Sequence, residues 1–585
     1  MRNAETTLAI VEDRGKRGLP LEDVYRRLYN EDLFLRAYGR LESNSRARTK
    51  GANGQTVDGM SWKTIRGIIE LLRQERYRWT PVRRVLIPKG NGTMRPLAVP
   101  AWSDKLLQEV MRSILEAYYE PQFSDQSHGF RPGRGCGTAL QHICCAWTGT
   151  KWFIEGDLNG CLDKIDHTVL MSILREKIHD NRFLRLVEGL LKAGYLEDWN
   201  RWPTHSGTPH GGIINPLLAN IYLDRLDKFV EQTLIPEFTR GEFRKSAAGV
   251  NSIKSKIARA RKKDDRDALR ILLKKRRNMT SLDQMDPDYR RLRFIRYADD
   301  FLLGFVGPKV EAERIKERIR TFLRGTLALE LSGEKTLISN AGAEMARFLG
   351  YDIRTRNNNI KLRVPIQKIR EKIAKYMKDG KPMHRPEMVD DTDYTIVSRY
   401  GRELRGLVSY YAYAENRYWL KRLEWVMETS LLRTLAMKHR STISKMSKKH
   451  KTIVHENGRW YRCFEATLER EGTGPLIARF GGFSYSPQPS LMVSDGIADV
   501  DRKFTVGREI VESLMAHACE LCGSTERFEI HHVRKLADLK VKGRKEPPRW
   551  KLIMAAPRRK TLVLCGDCHD AVHAGKPTRA RRAAT

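Results

Sequence analysis

Three aspartates and a C-terminal group of cysteines and histidines are the residues of this sequence best suited to chemistry. Asp157 closes a short apolar stretch in FIEGDLNGCLDKIDH, and Asp299-Asp300 sit between two apolar stretches in RYADDF. Carboxylate oxygens are what a hard cation such as Mg²⁺ takes as ligands, and because Mg²⁺ keeps part of its water shell, a few suffice. Two such ions about 3.5–4 Å apart are what nucleotidyl transfer needs, one at the attacking hydroxyl and one at the leaving phosphates. A bare Asp-Asp is commonly only a turn, and the apolar flanks are what argue for a hairpin tip.

The second group reads CELCGSTERFEIHHVRK and, further on, TLVLCGDCHDAVH. Cys519, Cys522, Cys565 and Cys568 form two C-x-x-C pairs, the spacing of a closed structural Zn²⁺ site. His531, His532, His569 and His573 lie in the same module. A four-cysteine zinc site has no use for them, so they point to a second, catalytic metal. Two other readings are a zinc ribbon that only binds DNA and the haem c attachment pattern in C-G-D-C-H at 565–569. The other cysteines, Cys136, Cys144, Cys145, Cys161 and Cys463, read as buried core thiols.

Elements must exist to hold these residues. Trp152–Gly156 reads as a strand running into Asp157, and Leu292–Val306 as a tight hairpin with Asp299-Asp300 at its tip. Helical periodicity covers 60–79, 104–119, 167–193, 216–235 and 311–327, and 82–100 alternates as a hairpin around Lys89-Gly-Asn-Gly-Thr. Residues 43–58 read as a loop. The stretch 240–293 is strongly basic and predicts helices with a cationic face, a solvated surface or an RNA contact. Residues 366–445 read as all-helical, and of Tyr410, Tyr411 and Tyr413 two are expected in the core.

The bulk numbers set the setting. The chain has 585 residues, 41% of them hydrophobic, 11 Trp, and a formal net charge of +37. That is enough apolar material for several cores, and such a cationic excess suits a protein that neutralises many phosphates. No run of about 18 apolar residues could span a bilayer, and the N-terminus has no signal-peptide core. A soluble protein of the bacterial cytosol or nucleoid, or of an organelle, is expected, neither secreted nor membrane-bound.

Seven ordered blocks then become specific. RRVLIPKGNGTMRPLAVP (83–100), SHGFRPGRGCGTAL (127–140), EGDLNGCLDKIDH (155–167), GTPHGGIINPLLANIYL (207–223), RYADDFLLGF (296–305), LSGEKTLI (331–338) and RFLGYDI (347–353) follow the order of reverse transcriptase blocks. RGLVSYYAYAEN…LKRL…TLAMKH resembles the thumb, or maturase X domain, and the cysteine–histidine module resembles an H-N-H endonuclease. Nearly the whole chain thus resembles a group II intron-encoded reverse transcriptase–maturase.

That resemblance implies roles. Asp157 and Asp299 would ligate two Mg²⁺ ions, with Asp300 assisting. Lys89 and Arg95 would grip the incoming triphosphate, and Gly211-Gly212 would let backbone approach the template–primer or nucleotide. His210 stands where the family usually has Gln, and Leu162 where it usually has an aromatic that blocks a ribose 2′-hydroxyl. In the nuclease, His531, His569 and His573 would ligate Mg²⁺ or a related divalent ion, and His532 would be the general base. Lys560-Thr561 occupies the region of the pattern's middle Asn.

The expected architecture is α+β. Residues 1–60 are an N-terminal extension, 61–365 right-hand fingers and palm, and 366–445 a helical thumb. A small basic DNA-binding region spans 446–510. A zinc-containing ββα-metal HNH domain with a basic tail fills 511–585. The implied function is RNA-directed DNA synthesis, assistance to intron splicing, and nicking of a DNA target whose 3′ end primes synthesis. Partners would be intron RNA, target DNA and dNTPs, with a homodimer left open. A splicing-only RNA-binding protein, and a reverse transcriptase of a defence or diversification system, are the competing readings.

Overall fold

In a computed structural model, residues 3–42, 45–88, 94–158, 160–197, 200–202, 212–279, 282–283, 286–333, 336–456, 458–470, 473–487, 518–525, 527–533, 539, 548–555 and 561–576 are described.

The N-terminal part is helical. Helix Ala4–Lys16 starts where the Asn3 side chain accepts the Thr6 N–H, and helix Trp62–Arg73 where Ser61 accepts that of Thr64. Both are side-chain caps of otherwise unpaired first-turn amides. Ile65, Ile68, Ile69 and Leu72 form the one buried stripe of the second helix. Helix Trp102–Tyr119 is different, because it is buried almost all round. Its polar side chains are therefore paired: Arg112 with Glu109 and Glu116, and Asp104 with the Tyr77 hydroxyl at 2.7 Å. Strands β1 (Val82–Pro88) and β2 (Met94–Val99) form the expected hairpin, Arg83 opposite Val99.

The central sheet carries the first candidate site. Its strands are β3 (Trp152–Asp157), β4 (Arg291–Tyr297), β5 (Asp300–Val306) and β6 (Ile338–Asn340), in the order β4-β5-β3-β6. All neighbours are antiparallel. Strand alternation sends Ile154, Phe294, Phe301 and Leu303 into one core and Phe153, Ile295 and Leu302 into another. Helices Asn215–Phe229 and Lys309–Leu327 contribute Leu218, Leu223, Ile315 and Ile319 to the first core. Trp147, Phe348 and Tyr351 belong to the second. A sheet buried on both faces holds its strand ends firmly.

The basic stretch forms helices Val250–Lys262 and Arg266–Arg277. The second buries no residue, and its last turn is Lys274, Lys275, Arg276 and Arg277. The 366–445 stretch is helical at Ile366–Ala374, Asp393–Tyr410 and Leu420–Lys438. It is not all-helical: Met377 pairs with Pro382 in a two-residue-long hairpin. Strands β7 (Lys451–Glu456), β8 (Arg459–Arg470) and β9 (Thr473–Gly481) follow as an antiparallel sheet. Phe464, Ala466, Ala478 and Phe480 of that sheet share one core with Tyr400 and Leu404. Tyr411 and Tyr413 are buried while Tyr410 is exposed, as the spacing predicts. Among the scattered cysteines, Cys161 and Cys463 are buried. Cys136 and Cys144 are half-buried, and Cys145 is exposed, against expectation.

The C-terminal module is a strand–strand–helix unit. Strands β10 (Phe528–His532) and β11 (Thr561–Cys565) are antiparallel, with His531 opposite Leu562, and helix Gly566–His573 follows directly. No helix among the described residues is long and apolar enough to cross a membrane.

Candidate active sites

At the first site, local geometry follows from a two-residue turn. Tyr297 pairs with Asp300, so Ala298 and Asp299 make the tip. Ala298 has φ +54°, the left-handed region in which a non-glycine residue is strained and needs support. Gly129 packs against that turn so closely that a Cβ on it would lie 2.5 Å from the Ala298 nitrogen. The strand register places Asp157 directly opposite Asp300. Asp299 lies near enough to Cys161, four residues past Asp157, for its charge to act on that thiol. Burial first, and Asp299 second, push Cys161 up to about 12. Beside Asp157, Gly156 faces the Phe301 ring at a distance that no Cβ could occupy.

A buried ion pair anchors this hairpin. Arg296, two residues before the tip, is fully buried together with Asp227. Its Nε donates to Asp227 Oδ1 at 2.7 Å and its Nη2 to Asp227 Oδ2 at 2.6 Å. The remaining donors reach Asn220 Oδ1, Ser127 Oγ and, at 2.9 Å, the carbonyl of Ala298 itself. Burial alone would lower this guanidinium's pKa, but Asp227 outweighs it and raises it. One side chain thus ties the tip to the helix Asn215–Phe229 and to the 127–129 segment.

Asp157 and Asp300 also line a cleft of about 720 Å³ with Glu155, Arg347 and Asp352. The groups whose ligand atoms gather within 4.8 Å, among the described residues, are two: one lies wholly in the C-terminal module, and the other joins three of its histidines to Asp58. At the hairpin, register aligns Asp157 with Asp300, while Asp299 sits in the turn.

The C-terminal module holds the first cluster whole and the three histidines of the second. Cys519 and Cys522 sit on a turn closed by Gly523 N–H to Cys519 O at 2.8 Å. Cys565 ends β11 and Cys568 lies in the first turn of the following helix. All four sulfurs lie within 4.8 Å of one another, with Cys522 and Cys565 at 3.6 Å. Four soft thiolates in this arrangement fit a closed zinc site.

The second cluster is His531, His569, His573 and Asp58. His569 and His573 stand one helical turn apart, and His531 projects from β10. Glu529 is two residues before His531 on the same strand face, and its Oε2 accepts from His569 Nδ1 at 2.7 Å. A carboxylate behind a ligating imidazole fixes which nitrogen faces a metal. Burial would lower the His569 pKa, but Asp58 and Glu529 raise it to about 9. His531 is buried with neither ring nitrogen hydrogen-bonded, an arrangement buried polar groups avoid unless something else takes the lone pair. These nitrogens and the Asp58 oxygens fit a divalent cation.

His532 points elsewhere, as the next residue on a strand must. Its Nδ1 lies 3.1 Å from the Ile530 carbonyl, which can only accept, so Nδ1 carries the proton. Its Nε2 lone pair then receives the Tyr38 hydroxyl at 3.2 Å. Burial drives its pKa down to about 4.

Asp58 and Tyr38 belong to the N-terminal part, and backbone pairing holds that part to β10. Gly59 N–H donates to Ile530 O at 3.1 Å, and Ile530 N–H to Met60 O at 3.0 Å. Asp58 Oδ1 accepts the His532 N–H at 2.7 Å. Ile530 itself packs into the same core as helix Trp102–Tyr119.

Comparison with known proteins falls along this layout. Residues 87–255 match the family described as reverse transcriptase (RNA-dependent DNA polymerase), 357–462 the type II intron maturase, and 519–569 the AI2M/AI1M-like HNH endonuclease. The chain is 39% identical to the group II intron-encoded protein LtrA of Lactococcus lactis subsp. cremoris, over 96% of this chain and 98% of that one. The chain belongs to the group II intron-encoded proteins. It is also 33% identical to an uncharacterised 91 kDa protein in the cob intron of Schizosaccharomyces pombe, over 94% of this chain and 69% of that one.

A group II intron-encoded protein of this composition carries reverse transcriptase, maturase and HNH endonuclease functions. Of the residues singled out in the sequence, Lys89, His210, Gly211 and Lys560 lie outside the described residues, as do the side chains of Arg95 and Leu162. The backbone of Arg95 pairs with Ile87 across the β1–β2 hairpin. Sequence reasoning missed Asp58, Tyr38, Glu529 and the Arg296–Asp227 pair. Glu529 was within reach, since alternation puts it on the His531 face. Nothing local marks the others.

Proposed function

We propose that Asp157 and Asp299, with Asp300, form the polymerase centre of a right-hand fingers and palm, and that the His531–His569–His573 cluster is the centre of a DNA-nicking nuclease. The observation that carries the first reading is the register that sets Asp157 against Asp300 at the tip of a doubly buried sheet. Two Mg²⁺ ions bound there would supply activation of the primer hydroxyl and neutralisation of the leaving pyrophosphate. The protein's part is positioning: Arg296 fixes the turn, Gly129 and Gly156 let neighbours close on it, and the adjoining cleft gives access. Lys89 and Arg95 hold the triphosphate, a task suited to a point charge and a planar fork. His210 and Leu162 shape the nucleotide position.

In the nuclease, the four cysteines hold Zn²⁺ as a structural ion, which ties the two strands and the helix together. His531, His569 and His573 hold a divalent cation that would stabilise the charge developing on the leaving 3′-oxygen. His532 takes the proton from the attacking water at Nε2. Its proton on Nδ1, held by the Ile530 carbonyl, leaves Nε2 as the acceptor that role requires.

The thumb, 366–445, and the basic 446–510 region bind nucleic acid. Exposed Tyr418, Trp425 and Trp460 among Arg and Lys offer stacking faces and phosphate partners. Intron RNA is the primary partner, target DNA and dNTPs are the substrates, and the net charge supports a location with nucleic acid in the cytosol or an organelle.

A target-primed assay tests the whole reading: duplex target DNA, intron ribonucleoprotein, Mg²⁺ and dNTPs. Asp299→Ala should nick without extending, and His569→Ala should extend a pre-nicked target without nicking. If either variant loses the other activity as well, or neither, the assignment of roles fails.

A further inference from the structure

We infer that Asp58, from the N-terminal extension, is a fourth ligand of the nuclease cation and stands where an oxygen of the scissile phosphate must bind. The inference rests on reading the histidine cluster as the nuclease centre. Three observations carry it, and all come from one short part of the chain.

The first is the carboxylate itself. Asp58 Oδ2 lies 2.8 Å from His573 Nε2, and Oδ1 lies 3.3 Å from His569 Nε2 and 3.5 Å from His531 Nδ1. It faces all three imidazoles. A catalytic divalent ion must keep a coordination place open to water or substrate, and a protein carboxylate set among its three imidazoles takes such a place. An Asp carboxylate and a phosphodiester both present an anionic oxygen, so one can occupy the place of the other.

The second is the base. The Nε2 lone pair of His532, the atom that would take a proton from water, is capped by the Tyr38 hydroxyl. The third is the edge of the nuclease strand, where Gly59 and Met60 form an isolated antiparallel bridge with Ile530. Metal place, base and strand edge are covered together by residues 38–60. In this docked arrangement the nuclease centre is closed to DNA, and nicking requires the N-terminal segment to leave β10. The polymerase body thereby governs its own nuclease, through a stand-in for the substrate phosphate.

The test uses the zinc-loaded full chain and Asp58→Asn. Asn keeps an oxygen that can accept the His532 amide, so the fold around it is retained, but it carries no anionic ligand. Co²⁺ added without DNA is followed by its visible bands. Binding to Asp58→Asn should weaken by at least the roughly tenfold to hundredfold that even an outer-sphere partner of a metal site is worth. At saturating Mg²⁺, single-turnover nicking of duplex target should rise roughly threefold or more, as the open fraction grows. Unchanged Co²⁺ affinity, or nicking that is unchanged or slower, overturns the inference. His569→Ala is the control for the underlying reading. If it nicks like the wild type, the cluster is not the nuclease centre and the inference falls with it. If it is inactive while Asp58→Asn behaves as wild type in both measurements, only the role of Asp58 is refuted.

Discussion

Replacing Asp227 by Asn removes the one carboxylate hydrogen-bonded to Arg296 and leaves only the weaker attraction of Asp224. Both side chains are 0% exposed, so no water can take over. Asn keeps the volume and one acceptor, but it leaves a buried guanidinium whose hydrogen-bond acceptors, on Asn220, Ser127, Ala298 and the new Asn, are all neutral. Breaking a buried pair by removing one partner costs about 3–5 kcal/mol. The lower end applies here because three neutral acceptors remain. For a domain of 150–250 residues, about 3 kcal/mol lowers Tm by about 6–12 °C. The assay is thermal unfolding followed by tryptophan fluorescence, with primer extension measured well below the transition. Extension should fall as well, because Arg296 also holds the Ala298 carbonyl at the tip. The double variant Asp227→Leu with Arg296→Met separates the two effects. It should recover most of the stability, since apolar replacements of buried pairs are often neutral, yet not the extension rate. An Asp227→Asn protein that melts with the wild type, or a double variant with full activity, would refute this account of the hairpin.

Other perturbations give further outcomes. Gly156→Ala forces a methyl into the Phe301 ring and should cost about 1–3 kcal/mol in denaturant unfolding, with slower extension. Removing zinc with a chelator, or Cys565→Ser, should abolish nicking and loosen 518–576 to proteolysis, while primer extension on an RNA template persists. Asp104 is held up at about 6, chiefly by burial. A carboxyl raised in the folded state gives stability that is full below its unfolded value near 3.9 and is lost as pH rises through about 6. The stability difference between wild type and Asp104→Asn should therefore shift in favour of Asn between pH 4 and 6 and stay level above; a flat difference contradicts it.

What the sequence made legible was local. Asp299-Asp300 were readable because strand, turn and strand are contiguous in 291–306, and Asp157 because a short apolar strand runs straight into it. The cysteine pairs were readable because two ligands per knuckle fix the spacing. The His569–His573 pair follows from helical repeat alone. What was hidden depends on contacts that no periodicity encodes. Asp227 meets Arg296 across 69 positions, and Asp58 meets His532 across 474. The helix Trp102–Tyr119 showed one apolar face in the sequence, yet it is buried almost all round, because its charged residues pair within the helix (Arg112 with Glu109 and Glu116) and with Arg40 and Tyr77 from elsewhere. The 377–382 hairpin was lost in a stretch whose composition is otherwise that of helices.

The central claim is that the 298–299 turn carries a polymerase centre. Primer extension on an RNA template with dNTPs and Mg²⁺, comparing wild type with Asp299→Ala, tests it most directly. Loss of one carboxylate from a two-ion site removes several kcal/mol of transition-state stabilisation, so extension should drop by about a thousandfold or more while the fold is retained. Extension that survives in Asp299→Ala would contradict the claim. So would a folded wild type that does not extend even with its intron RNA supplied.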